Sequence, residues 1–301
     1  MSRTCEWNSK GWSLLIGLTA LAMCAAAGTP GDAEAFLDAA RRAYPTPAFA
    51  SYTNSLVTTY KVKAADCADR PVPGGRILWY QVEGMRNVRD IGGWNGLPPG
   101  RAFRGSEPDC HPGDKTHKSH GYGVTEKGLR TIRDVMKIKT DLDLRQRKEC
   151  PNPDRSALGV RLVRVPIGAY MAAFKNVEGY AAALRVFADA DSYPIYFHCW
   201  GGADRTGTLA FIVEGLCGAN EADLSIDYEL TTFGRSLRSR SGSKYFAFPE
   251  FVARMKTYPG DTLAAKIAAY METTLGLSKE EIASIRRNIL GDASAAAKPS
   301  P

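Results

Sequence analysis

The sequence predicts an α/β fold with a central, mostly parallel sheet flanked by helices, and three observations carry that expectation. Short apolar runs of β-favouring residues alternate with stretches of helical spacing between residues 76 and 290. One run, Tyr193-Pro194-Ile195-Tyr196-Phe197, enters a helix-like stretch, Thr208 to Cys217, through a glycine-containing loop. After Gly218 the pattern is helical alone. Strands separated by helices pair in parallel, because each crossover lays its helix on a sheet face.

The elements follow in order. Residues 1–27 have the make-up of a secretory signal peptide: a basic start (Arg3, Lys10), an apolar middle (Trp12 to Leu21), and Ala25-Ala26-Ala27 before Gly28 as a small-residue cleavage site. The apolar run is shorter than the roughly 18 residues a membrane span needs. Leu21-Ala22-Met23-Cys24 is a weak lipoprotein box, since Met23 is large for its position, so lipid anchoring is the lesser alternative. Residues 28–75 form an N-terminal extension, with a helix-like stretch from Asp32 to Tyr44 and a linker at Arg70-Pro71-Val72-Pro73-Gly74-Gly75. The extension is expected to pack on the main domain.

In the main domain, residues 76–290, Ile77 to Val82 reads as a strand. Thr125 caps a helix whose apolar residues Leu129, Ile132, Val135 and Met136 recur at helical spacing. Ile138 to Leu144 is a buried strand despite Asp141, and Leu162 to Val165 a short one ending at Pro166. A helix at Val177 to Ala188 leads to the strand Tyr193 to Phe197. Four helices close the domain: Asn220 to Thr232, Pro249 to Lys256, Asp261 to Leu275, and Ser278 to Leu290, the last opened by a capping box of Ser278 and Glu281. Residues 291–301 are an Ala/Pro/Ser/Lys tail expected to be disordered.

The chemistry lies in His198-Cys199-Trp200-Gly201-Gly202-Ala203-Asp204-Arg205-Thr206-Gly207. A tight loop at a helix N-terminus turns several unpaired N–H groups and the positive dipole end toward one point, which suits a tetrahedral dianion. The same field stabilises a thiolate, so Cys199 is expected to be ionised near neutral pH. Arg205 can hold two phosphate oxygens with its planar fork. Gly201, Gly202 and Gly207 allow backbone angles and close approach that a Cβ would block.

This decapeptide resembles the signature of the cysteine-based protein tyrosine phosphatases: His-Cys, five residues, Arg, then Thr or Ser. With Asp204 before Arg205 it is similar to the bacterial tyrosine and dual-specificity branch, part of which acts on lipids. Three other segments resemble that branch in order: Arg86-Asn87-Val88-Arg89-Asp90-Ile91-Gly92-Gly93, the turn Phe103-Arg104-Gly105-Ser106, and the strand Ile138 to Arg145. Leu275 to Ile282 is similar to its last helix. The resemblance implies a hydrolase that works in two steps without metal or cofactor. Cys199 displaces the alcohol or phenol to give a cysteinyl-phosphate, and water then releases phosphate. Loop amides and Arg205 stabilise the equatorial oxygens. Substrate contacts fall to His198, Trp200, Gly201, Gly202, Ala203 and Gly207, with His198 also ordering the loop and Thr206 assisting departure of the sulfur. Related lipid phosphatases often carry Lys where Ala203 stands, which counts against a phosphoinositide.

The proton donor is left open. Many relatives place an Asp in the loop that here reads Pro166-Ile167-Gly168-Ala169-Tyr170-Met171, without a carboxylate. The bacterial branch implies Asp143, with Asp204 competing and Asp141 or Glu149 behind them. Arg89 and Asp90 are expected to form a buried ion pair bracing the loop.

The 301 residues carry a net charge of +7, and loss of Arg3, Lys10 and Glu6 with the signal lowers it by one to +6. This suits an anionic substrate, and no basic block argues for nucleic acid. Of the cysteines left after cleavage, Cys199 is the reactive thiol and Cys217 core. Cys67, Cys110 and Cys150 leave room for one disulfide of undetermined pairing. His111, His117 and His120 on a polar loop fit no metal-ligand spacing, so no metal is expected, and Arg235, Arg238 and Arg240 read as a solvated basic stretch.

The implied substrate is a phosphotyrosine protein, with phosphoserine/threonine and phosphoinositides as further possibilities in a secreted or periplasmic setting. Rival readings are an inositol-polyphosphate phosphatase of the same fold, a non-catalytic phosphate-binding module, and a rhodanese-type sulfurtransferase, whose loop is one residue shorter.

Overall fold

A computed structural model describes residues 80–93, 95–109, 123–231 and 247–291. The signal segment, the extension 28–75 with Cys67, the histidines of the 110–122 loop with Cys110, the arginines at 235–240 and the tail from residue 292 lie outside the described residues.

The described chain is an α/β domain built on one five-stranded sheet. Its strands are β1 (Arg89–Asp90), β2 (Ala102–Gly105), β3 (Thr140–Asp143), β4 (Arg161–Arg164) and β5 (Ile195–His198), in the spatial order β1-β2-β5-β3-β4. β5 runs parallel to both β2 and β3, β4 runs parallel to β3, and only β1 is antiparallel. The expected mostly parallel sheet is what forms. The helices are α1 (Glu126–Arg130), α2 (Val177–Ala188), α3 (Asp204–Leu216), α4 (Glu221–Leu230), α5 (Ala247–Met255), α6 (Leu263–Thr273) and α7 (Lys279–Leu290). Ser278 and Glu281 form the expected capping box of α7.

Side-chain alternation along β5 builds two cores. Ile195 and Phe197 enter the larger core with Leu142, Leu209, Phe211, Phe251, Tyr270 and Ile285. Tyr196 faces the smaller core of Val88, Phe103, Ile132 and Ile138. Helix α3 is buried along almost its whole length, Thr206 through Leu216, as befits a helix wedged between the sheet and the C-terminal helices.

Three expectations need correction. Tyr80 to Val82 lies outside any strand. Phe103 and Arg104, read as a turn, sit in β2, the inner neighbour of β5, where all four residues are buried. Val135 was assigned to the apolar stripe after Thr125 but is 61% exposed. The helix widens over Thr131–Val135, where Met136 N–H donates to Thr131 O, five residues back. That extra residue per turn carries Val135 outward while Ile132 and Met136 stay buried.

The register sets up the site. Gly105 of β2, His198 of β5 and Asp143 of β3 lie level across the sheet at the carboxyl ends of three parallel strands. Open α/β sheets bind ligands at that edge.

Candidate active site

Cys199 is the first residue beyond β5, and the loop from it closes onto the N-terminus of α3. The carbonyls of the loop are captured on its outer side. Glu107 N–H donates to Trp200 O at 3.0 Å, and the Asn87 amide donates to Gly201 O and Gly202 O at 3.2 and 3.1 Å. Arg104 Nη2 donates to Gly202 O at 2.9 Å. Ala203 stands at the N-cap of α3 and makes no side-chain cap, which leaves the helix's first amides to the loop interior. Gly202 has φ +63, and a Cβ there would stand 2.2 Å from Gly105 O. Only glycine fits this crossing of loop over strand.

The brace beneath the loop differs from the expected Arg89–Asp90 pair. Arg89 Nε lies 2.8 Å from Asp227 Oδ1 of α4, and Arg104 Nη1 contacts the other oxygen of the same carboxylate. Asp90 accepts from Gly92 N and Gly100 N instead. Adjacent residues of a strand point to opposite faces, so Arg89 and Asp90 cannot share one. Arg89 Nη1 also donates to Asn87 Oδ1, fixing the amide whose nitrogen holds the loop. Asn87 itself has φ 59, a left-handed conformation that Asn tolerates better than most residues.

Cys199 is 4% exposed. Burial pushes its thiol pKa up, yet the Arg205 charge and the hydroxyl and amide of Thr206 outweigh burial and bring it below the usual 9.0. Thr206 Oγ1 is buried without a hydrogen bond of full geometry, so its hydroxyl acts on the sulfur as a nearby dipole. Below the loop lies His198, fully buried. Burial disfavours its charge, but Asp143 and Asp141 raise its pKa from 6.5 to about 9, so the ring is an imidazolium at neutral pH. Its Nε2 is 2.9 Å from Asp141 Oδ1, an ion-pair contact without in-line hydrogen-bond geometry, and its Nδ1 is 3.1 Å from Cys199 O. His198 therefore holds the loop from below. Assigned to substrate contact from the sequence, its side chain is sealed from solvent and committed to Asp141.

Asp143 sits in the same buried layer. Its Oδ1 accepts from Arg145 N and Nε at 2.9 Å each, and its Oδ2 accepts from Arg145 Nη2 and Arg164 Nη2 at 2.9 Å each. Burial would raise its pKa, but His198 and Arg145 hold it far below the usual carboxylate range. Such a carboxylate is an anchor with its lone pairs occupied, poorly suited to carry a proton. Arg145 extends the layer to Glu107 and Asp109, each 2.7 Å from its Nη1. The Cys150 thiol is free and buried, 3.5 Å from Asp143 Oδ2, and its two possible disulfide partners, Cys67 and Cys110, lie outside the described residues. Cys217 is buried in the core, as expected.

Arg205 and Asp204 open α3. Arg205 makes a forked pair with Glu149, at 2.8 Å from Nη1 and 3.0 Å from Nη2. Burial raises the Glu149 pKa, but Arg205 and the Gln146 amide bring it below normal, so it also stays ionised. Asp204 is half-buried and accepts a hydrogen bond from the Tyr170 hydroxyl. Trp200 is 36% exposed at the rim, and Ala203 and Gly207 are buried along the loop and the start of α3. Among the described residues no metal-binding cluster occurs, and no helix is long and apolar enough to cross a membrane.

Sequence reasoning missed Asp227 and Tyr170 as site residues, and it weighed Glu149 as a proton donor rather than as the partner of Arg205. Asn87 and Arg104 stood inside quoted motifs, but nothing in those motifs said that they grip the loop's carbonyls.

A buried cysteine at the head of a tight strand-to-helix loop, its pKa lowered by the Arg205 charge and by Thr206, is the arrangement of a cysteine-based phosphatase. The comparisons agree: a family model described as the tyrosine phosphatase family matches residues 80–291, and the chain belongs to that family. Among solved structures, it is similar to the core catalytic domain of the PP-IP phosphatase SIW14 from S. cerevisiae, in complex with citrate. The identity is 19%, with 65% of this chain and 99% of that chain covered and a TM-score of 0.40. No curated protein matches the sequence.

Proposed function

We propose that this phosphatase hydrolyses phosphotyrosine monoesters through a cysteinyl-phosphate, with phosphoserine/threonine or phosphoinositides as secondary substrates. The observation that carries the proposal is the lowered pKa of a deeply buried Cys199 beside Arg205 and Thr206. In step one the Cys199 thiolate attacks phosphorus in line, and the ester oxygen leaves with a proton. In step two water attacks phosphorus, and the sulfur departs as a thiolate. The loop amides and Arg205 meet charge on the three equatorial oxygens throughout.

Asp204 is the better candidate for proton donor. Asp143 is locked among Arg145, Arg164 and His198, whereas Asp204 is half-buried where the loop enters α3 and accepts a hydrogen bond from the Tyr170 hydroxyl. The basic start, apolar middle and small-residue site of residues 1–27 support export to the periplasm or the medium.

Rapid quenching during turnover of phosphotyrosine peptide, with peptide mapping, tests the proposal. One phosphoryl group per chain on Cys199, lost in Cys199→Ser, is expected. Turnover that persists in Cys199→Ser, or release of phosphate from inositol polyphosphates alone, would contradict it.

A further inference from the structure

The segment before α2 brings no carboxylate to the site, but it brings a hydroxyl. Tyr170 opens the turn Tyr170–Phe174 with φ 55, a left-handed backbone that is unusual for a bulky aromatic residue. Several contacts hold it there. Its N–H donates to Thr208 Oγ1 at 2.8 Å, and that hydroxyl donates to Asp204 O at 2.8 Å. Its own hydroxyl donates to Asp204 Oδ1 at 2.5 Å and lies 3.1 Å from Tyr228 Oη. The ring meets Tyr228 and Phe248 edge-on, and those two rings stack on each other at 3.8 Å. A backbone outlier kept in place by this many partners points to a task at the site.

We infer that Tyr170 is a positioning residue for the phosphoryl transfer, orienting Asp204 and stabilising the carboxylate that forms when Asp204 gives up its proton. The inference rests on Asp204 as the proton donor. In step one the S–P bond forms as the P–O bond to the leaving group breaks, and the proton of the Asp204 carboxyl passes to the leaving oxygen. The negative charge on Asp204 is then met by the hydroxyl at Oδ1. In step two the attacking water returns a proton to Asp204, and the sulfur leaves as a thiolate. The hydroxyl thus favours the product state of the first proton transfer.

The test uses the full chain and two substrates: p-nitrophenyl phosphate, whose leaving group needs little help, and phenyl phosphate, whose leaving group needs a proton. Tyr170→Phe keeps the ring in the aromatic cluster and removes the hydroxyl. It is expected to lower kcat for phenyl phosphate about tenfold, with a much smaller loss for p-nitrophenyl phosphate and unchanged KM. Asp204→Asn should show the same leaving-group pattern more strongly, and adding Tyr170→Phe to it should cost nothing further. Equal losses on both substrates in Tyr170→Phe, with the Asp204→Asn pattern intact, would overturn the role of Tyr170 and spare that of Asp204. No leaving-group dependence in Asp204→Asn would overturn both. Tyr228→Phe supplies a second variant: it removes the hydroxyl 3.1 Å from Tyr170 Oη and should give a weaker form of the same pattern, and a leaving-group-independent loss there counts against the role of Tyr170.

Discussion

Replacing His198 by Gln removes the buried positive charge between Asp141 and Asp143 while keeping a polar group of similar reach. His198 has its pKa raised from 6.5 to about 9 in the folded chain. A rise of that size corresponds to about 3 kcal/mol of folding free energy. Because the folded pKa lies above the unfolded one, the contribution is fully present below pH 6.5 and is lost as pH rises through 9. Urea unfolding of wild type and His198→Gln at half-unit steps from pH 6 to 10 reads this directly. The two midpoints should lie far apart at pH 6 and converge toward pH 10. Glu107, at about 8, feels the His198 charge, so its own titration moves in the variant and forms part of the difference. A stability gap that stays constant across the range would mean that the ring is neutral in the folded protein and that the account of the layer beneath the loop is wrong.

Asp227→Ala removes the carboxylate shared by Arg89 and Arg104 and leaves two buried guanidinium groups without it. A loss of about 3–5 kcal/mol in chemical denaturation is expected, with a fall in kcat because Arg104 also holds the loop. Gly202→Ala would force a Cβ to 2.2 Å from Gly105 O at φ +63, so phosphate or vanadate affinity should fall even in chains that still fold. Asp143→Asn should reduce kcat by similar factors for good and poor leaving groups, as befits an anchor rather than a proton donor. Glu149→Gln breaks the forked pair with Arg205, and KM for a phosphate monoester should rise more than kcat falls.

Much of the fold was legible because local pattern and tertiary role agreed. α2 spans the residues its apolar spacing marked, and α7 begins at the cap that Ser278 and Glu281 announced. The loop from Cys199 to Arg205 was readable because its chemistry is compressed into consecutive residues. What escaped was long-range. β2, with Arg104 in its centre, reads as a poor strand until Asp227, 123 positions away, is seen to neutralise that charge. Asp143 was given the role of proton donor by the resemblance; a pairing with Arg145 was legible beside it, whereas the second guanidinium on its carboxylate was not. Arg164 reaches it from the neighbouring strand, on a register that no local signal fixes. Tyr170 was read in a loop notable only for the carboxylate it lacked, and its hydroxyl gained meaning when the turn carried it to Asp204.

The central claim is that position 199 carries a thiolate sustained by Arg205 and Thr206 against the cost of burial. The rate of iodoacetamide alkylation at Cys199, followed by mass spectrometry from pH 4 to 10 without phosphate, measures its ionisation. The account predicts a midpoint clearly below 9.0 that moves upward in Arg205→Ala and, by less, in Thr206→Val. A midpoint at or above 9.0 in the wild type, or one indifferent to Arg205, would contradict it.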